Sequence, residues 1–248
     1  YIRERILGGV MGLRDVVIKE ARPLPVLLLV DNSGSMANEK INTVNLAIKE
    51  MIAEFSSIKN AKGKISIGVI TFGNTVEVVQ TIDKIENVMI PEFQAAGKTW
   101  MGQAIDKAID MLEDKNQVPE RAYTPTIILL SDGLPSDCPG KMNPTNYDFS
   151  QWEPLQRLHS SERLKKCPKL ALGIGEGTNY RMLNAFINNP EVPVIKANEL
   201  ITITKFFQWI TYSVSKRSVS NNPNEPVLED PMEMFGEDEV AYLIGLSQ

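Results

Sequence analysis

The segment VLLLVDNSGSM, residues 26–36, drives five large apolar residues into a core and halts them at an acid. A run of that length is too short for a helix and reads as a strand buried on both faces, the pattern of a parallel sheet. The stretch TPTIILLSDG (124–133) repeats the theme, with its apolar run ending at Asp132. An ionised carboxylate at the rim of a core is costly unless something compensates it. Asp31 therefore demands a partner, and so does Asp132.

Between and after these strands the apolar period switches to that of helices. Ile41, Val44, Ile48, Met51, Ile52 and Phe55 share one helical face, and Ala104, Ile105, Ala108, Ile109 and Leu112 share another in a helix starting near Trp100. KISIGVITF, then Gly73-Asn74, then TVEVVQTI reads as a hairpin with a two-residue turn, which makes the second of its strands antiparallel and places it at an edge. PKLALGIGEG is a further buried strand, NYRMLNAFINN a helix and VPVIKA a short last strand. Leu200, Ile203, Phe207, Ile210 and Val214 mark a long helix over 198–217. Strands alternating with helices predict an α/β fold: a Rossmann-like three-layer sandwich with a mostly parallel central sheet and one antiparallel edge strand.

In such a sheet, ligands collect outside the carboxyl ends of the strands where strand order reverses. Asp31 and Asp132 sit at two such ends, Ser33 and Ser35 on the loop after the first, and Thr99 on the loop before the second sheet-facing helix. All five are hard oxygen donors, with no His or Cys among them. That set suits a hard divalent cation held octahedrally with some water ligands. Gly34 is expected to let the backbone turn so that both serine hydroxyls point inward.

DNSGSM resembles the Asp-x-Ser-x-Ser signature of the von Willebrand factor A domain, AGKTWMG its threonine loop and LLSDG its second aspartate loop. The resemblance covers about residues 23–217 and implies a metal-ion-dependent adhesion site. In it Ser33, Ser35 and Thr99 would coordinate directly, with Asp31 and Asp132 acting mainly through waters. The cofactor implied is Mg²⁺, or Mn²⁺ or Ca²⁺. RPLPVLLLVDNSGSM, the TFG strand end and LLSDGLPSD are similar to bacterial TerY-type, tellurite-resistance-associated proteins. This implies a cytoplasmic adaptor or regulator in a stress-response or defence system. It would bind a partner's Asp or Glu through the metal, the partner being a kinase-like protein, a phosphatase or an ATPase. An enzymatic role is not expected; a metal-dependent phosphatase or nuclease, or a subunit coupling an ATPase to its substrate, are the alternatives. Three segments follow: an extension at 1–22, the A-type domain at 23–217 and an acidic tail at 218–248.

Other features are read more plainly. Net charge is −5, and seven acids without a Lys or Arg fall in 221–248, so nucleic acid is not an expected partner. No apolar run approaches the length of a membrane span, and none is expected. Cys138 and Cys167 read as unrelated free thiols, and with His159 they lack the ligand spacing of a zinc site. His159, the only histidine, reads as a solvated surface residue on LQRLHSSERL rather than the base of a Ser-His-Asp triad. Asp31 as a phosphoacceptor beside Lys98 is a further alternative, weakened by Ser at position 33. GIGEG (173–177) lacks a full nucleotide fingerprint and reads as a turn. Trp100 and Met101 either pack at a helix start or ring the ligand face.

The loop 133–154, with four prolines, is expected to border the metal face and contribute to partner specificity. The tail holds two apolar clusters, Val227-Leu228 with Met232-Met234-Phe235, and Val240-Tyr242-Leu243-Ile244-Leu246. They either pack back on the domain or dock a partner subunit, the latter coupled to the metal face through the last helix.

Overall fold

The computed structural model describes residues 21–59, 61–225 and 228–241. Strands β1 (Arg22–Asp31), β2 (Gly63–Phe72), β4 (Thr126–Ser131), β5 (Lys169–Ile174) and β6 (Val194–Ala197) run parallel. β3 (Val76–Lys84) lies antiparallel on β2, and β7 (Val240–Ala241) antiparallel on β6. The order is β3-β2-β1-β4-β5-β6-β7. The sheet thus has the expected antiparallel edge at β3 and a second at β7, which the acidic composition of the tail concealed. The β2–β3 turn spans Gly73, Asn74 and Thr75, one residue more than a Gly-Asn turn, and Gly73 N–H donates to the Thr75 carbonyl.

Alternation along β1 divides the core. Leu24, Val26, Leu28 and Val30 face one layer, formed by α1 (Glu39–Ser57) and α5 (Leu200–Val219). Leu27 and Leu29 face the other, formed by α2 (Met101–Glu113), α3 (Glu153–Ser160) and α4 (Tyr180–Ile187). Residues of β1 from Leu24 to Val30 other than Pro25 have no solvent exposure, as a central parallel strand requires. The helical faces read from the sequence are the buried faces, with Phe206 and Trp209 added to that of α5.

Arg217, buried near the end of α5, ties that helix to the start of β4. Its guanidinium donates to the carbonyls of Pro223 (2.5 Å) and Thr124 (2.6 Å) and to the Thr126 hydroxyl (2.9 Å). Burial pulls its pKa down to about 10, so it stays charged at neutral pH. The described part of the tail packs back on the domain. The Trp209 indole donates to the Glu229 carbonyl (3.0 Å), and Phe235 of α6 (Pro231–Phe235) meets the Trp209 ring edge-to-face at 6.1 Å. Leu228 and Met232 pack beside them, and Val240 is buried. The Glu239 carboxylate accepts from the Thr202 hydroxyl and pairs with Lys205 at 3.4 Å. Val227 and the stretch from Tyr242 onward lie outside the described residues.

Candidate functional site

β1 and β4 are neighbours, but the chain leaves β1 for β2 on one side and returns at β4 on the other. The carboxyl ends of β1 and β4 therefore flank the switch point of the sheet, where diverging connections open a crevice. Asp31 closes β1, and Asp132 follows β4.

Two ties cross this point. The Ser131 hydroxyl donates to Asp31 Oδ2 at 2.6 Å, so the serine of the second strand holds the acid of the first. The Ser35 hydroxyl, from the loop after β1, donates to Asp132 Oδ1 at 2.6 Å. Ser33 N–H donates to Asp31 Oδ1 at 2.8 Å, and the hydroxyls of Ser33 and Ser35 lie 3.1 Å apart. Asp31, Ser33, Ser35 and Asp132 therefore belong to one local hydrogen-bonded set. Asp31 is wholly buried, and Asp132 is only 6% exposed. Burial drives the Asp31 carboxyl up to about 6; the bonds from Ser131 and Ser33 oppose this, and the nearby Asp132 charge adds to it.

Thr99 is buried on the loop that leads into α2. That loop is laced to the first by Gly34 N–H to the Gly97 carbonyl (3.1 Å) and Ala96 N–H to the Asn32 carbonyl (2.8 Å). The glycine that the turn requires is Gly97, not Gly34. Gly97 has φ +79°, and a Cβ there would lie 2.5 Å from Asn74 Cα. Gly34 does not adopt a positive φ, and a Cβ there would meet nothing closer than 3.6 Å.

The long loop borders this face as expected. Ser136 N–H donates to the Thr99 carbonyl at 2.7 Å, while Thr99 N–H donates to the Ser136 hydroxyl at 3.1 Å. The Asp137 carboxylate accepts from Gly102 and Gln103 N–H (3.2 and 3.0 Å), capping α2, whose own N-cap residue Trp100 supplies no side-chain bond. Met101 is fully buried, whereas Trp100 is partly exposed with the Lys98 ammonium 5.7 Å from its ring.

Sequence reasoning missed Lys40. Its ammonium donates to Asp132 Oδ2 at 2.7 Å and to the Ser35 carbonyl at 3.3 Å. A lysine in the first turn of an amphipathic helix reads as solvated surface; its place five residues after Ser35 was the available signal. It also missed Ser131, which reads as the last residue of a strand, and Ser136 and Asp137. His159 is not a solvated residue: it is half-buried between α3 and α4, with Nε2 2.9 Å from the Ala185 carbonyl, and burial lowers its pKa. Cys138 and Cys167 are buried free thiols, and burial lifts Cys167 to about 11. GIGEG does turn the chain, with Gly175 at φ +86°. No helix among the described residues is long and apolar enough to cross a membrane.

The donor set fits a hard divalent cation. Asp31, Asp132, Ser33 and Ser35 bring two carboxylates and two hydroxyls together, and Thr99 stands on the neighbouring loop that is laced to theirs through backbone bonds. Asp31 is wholly buried and, in the bonds described, accepts from one hydroxyl and one amide, neither of which carries a charge to offset its own.

Residues 26–134 match the family model of the von Willebrand factor type A domain. Solved structures share the fold. The ArnB paralog VWA2 from Sulfolobus acidocaldarius is 19% identical over 79% of this chain and 45% of its own, with a TM-score of 0.52. A von Willebrand factor type A protein from Catenulispora acidiphila is 14% identical over 77% and 42%, at 0.54. Proximal thread matrix protein 1 from the mussel byssus, with a zinc-occupied MIDAS motif, is 16% identical over 77% and 47%, at 0.55. The chain thus spans less than half the length of each of these proteins. A search of curated proteins returned no match. At these identities the likeness is one of fold: the chain folds as a von Willebrand factor type A domain.

Proposed function

We propose that this type A domain is a metal-dependent protein-interaction module. In this reading Asp31, Ser33, Ser35, Thr99 and Asp132 hold a divalent cation, Mg²⁺ or Mn²⁺ foremost, and a partner protein contributes an Asp or Glu. The observation that carries it is the hydrogen-bonded set joining Ser33, Ser35 and Asp132 beside buried Asp31, at the switch point between β1 and β4. The mussel protein with a zinc-occupied MIDAS motif supports it as a neighbour in fold.

Each residue has a stated part. Ser33, Ser35 and Thr99 offer neutral oxygens directly. Asp31 and Asp132, held by Ser131 and Ser35, offer negative charge through water. A bound cation ligated mainly by neutral oxygens would supply a Lewis-acidic position for an incoming carboxylate. The loop 133–154, through Ser136 and Asp137, sets the rim that a partner meets. The reading calls on no chemical step, and His159, bonded to the Ala185 carbonyl, has no part in it. The similarity of the quoted motifs to TerY-type proteins extends the proposal to an adaptor in a bacterial stress response, with a kinase-like protein, a phosphatase or an ATPase as partner.

The test is thermal. Mg²⁺ or Mn²⁺ raises the melting temperature, because a ligand bound by the folded state alone stabilises it by mass action. Asp31→Ala combined with Ser33→Ala abolishes the increment while the protein still folds. An equal increment in the double variant sinks the assignment.

A further inference from the structure

Asp132 has both carboxylate oxygens engaged. Oδ1 accepts from Ser35, a proposed metal ligand, and Oδ2 accepts from the Lys40 ammonium at 2.7 Å. The Asp132 side chain is 1% exposed in this pair, whereas Lys40 retains a third of its surface. A second bond, to the Ser35 carbonyl, holds the ammonium against the loop that carries the other serine oxygens. Lys40 reaches this position from the first turn of α1 over the bare backbone of Gly175, where a Cβ would lie 3.4 Å from Nζ and 3.7 Å from Cε. Three elements thus converge to place one positive charge on Asp132: the β1–α1 loop, the end of β4 and the β5–α4 turn. Asp31 receives only hydroxyl and amide donors in the bonds described.

We infer that Lys40 is a built-in counter-ion of Asp132 that competes with a divalent cation for that carboxylate's charge and so sets the affinity of the site for metal. The inference rests on the reading of Asp31, Ser33, Ser35, Thr99 and Asp132 as a cation site. Its logic is electrostatic. Without metal, Asp31 and Asp132 are two buried carboxylates at the ends of neighbouring strands, and the Lys40 ammonium pairs with one of them. A cation held by the serine and threonine oxygens, with Asp132 acting on it through water, would share that carboxylate with this ammonium, and like charges repel. Removing the charge leaves Asp132 under-compensated in the metal-free protein and frees it for the cation. The free protein becomes less stable while its metal complex becomes tighter.

The experiment titrates the full chain with Mn²⁺, following the free ion by electron paramagnetic resonance. It compares the parent protein with Lys40→Met, Lys40→Gln and Lys40→Arg. Lys40→Met, which keeps the length of the stem, is expected to bind Mn²⁺ roughly tenfold more tightly than the parent, the scale of one lost charge-assisted hydrogen bond. Lys40→Gln, a second variant without the charge, follows it, and Lys40→Arg stays near the parent. In chelator, Lys40→Met melts below the parent. Mn²⁺ affinity in Lys40→Met and Lys40→Gln equal to or weaker than the parent's overturns the counter-ion alone. Absence of Mn²⁺ binding in the parent and in every variant overturns the cation site and the counter-ion together.

Discussion

Ser131 and Asp31, a hundred residues apart in the chain, are joined across adjacent parallel strands by a 2.6 Å hydrogen bond from hydroxyl to buried carboxylate. The bond favours the ionised acid, while burial favours the neutral one and wins, leaving Asp31 near 6.

The first expected outcome is a pH dependence. Asp31 has a folded pKa above its unfolded value near 3.8, so between about pH 4 and 6 the folded state holds the proton more tightly. Its contribution favours folding below that window and is lost as pH rises through it, by about 3 kcal/mol in chelator. Denaturant melts at pH 4 and 7 should show this loss in the parent and not in Asp31→Asn. With Mn²⁺ the sign reverses: affinity should climb up to about tenfold per pH unit below 6 and level off above it. A flat affinity profile from pH 5 to 7 would remove Asp31 from the site.

A pair of glycine substitutions separates the two loops. Gly97→Ala should cost on the order of 2–4 kcal/mol, since it forces a Cβ onto a positive φ and into the backbone of Asn74. Gly34→Ala should change stability by only about 0.5 kcal/mol, because its position is exposed and open. Chemical denaturation of both variants checks the contrast, and similar costs would contradict the geometry.

Asp137→Ala removes the acceptor for two N–H groups at the start of α2 and should cost about 1–2 kcal/mol. Thr99 lies directly before this helix and is bonded to Ser136, so Mn²⁺ affinity should weaken as well. Stability and affinity both at parental values would make the insertion a passive loop.

The parallel framework and the carboxylate loops were legible because they rest on local signals. Apolar runs such as VLLLV and IILL end in acids, and the helices carry clean periodicity. What escaped was set by tertiary contact. Lys40 looks like any solvated lysine until α1 is laid over the end of β4. Ser131 looks like a strand residue until β4 is placed beside β1. His159 sits on a polar segment, yet α4 covers it. The demand for glycine fell at Gly97 because Asn74, from the β2–β3 turn, closes on it, and no local pattern announces that contact. Phe235 and Val240 were legible as apolar points of the tail but not which surface they cover; they pack on the α5 side of the sheet, and the β7 pairing went unread.

Phe235 accordingly belongs to the core. Phe235→Ala should cost about 3–5 kcal/mol and alter the fluorescence of the Trp209 indole it meets edge-to-face. A loss below about 1 kcal/mol with an unchanged spectrum would mean that the tail rests on the domain without joining it.

The pairing of β7 with β6 bears on how the molecule behaves in a crowd of its own copies. A strand margin with free amide and carbonyl groups is a template for another chain, and β6, with Val194 and Ile195 fully buried, would make an adhesive one if uncovered. The opposite margin is blunted by register breaks along β3, where the ladder slips between Ile67 and Val69 and again before Ile70. The tail is therefore expected to limit self-association through this margin. A chain cut after Ser220 should self-associate with rising concentration in light scattering, and adding acidic residues elsewhere should not cure it, because what is lost is the cover over a β-edge and not negative charge.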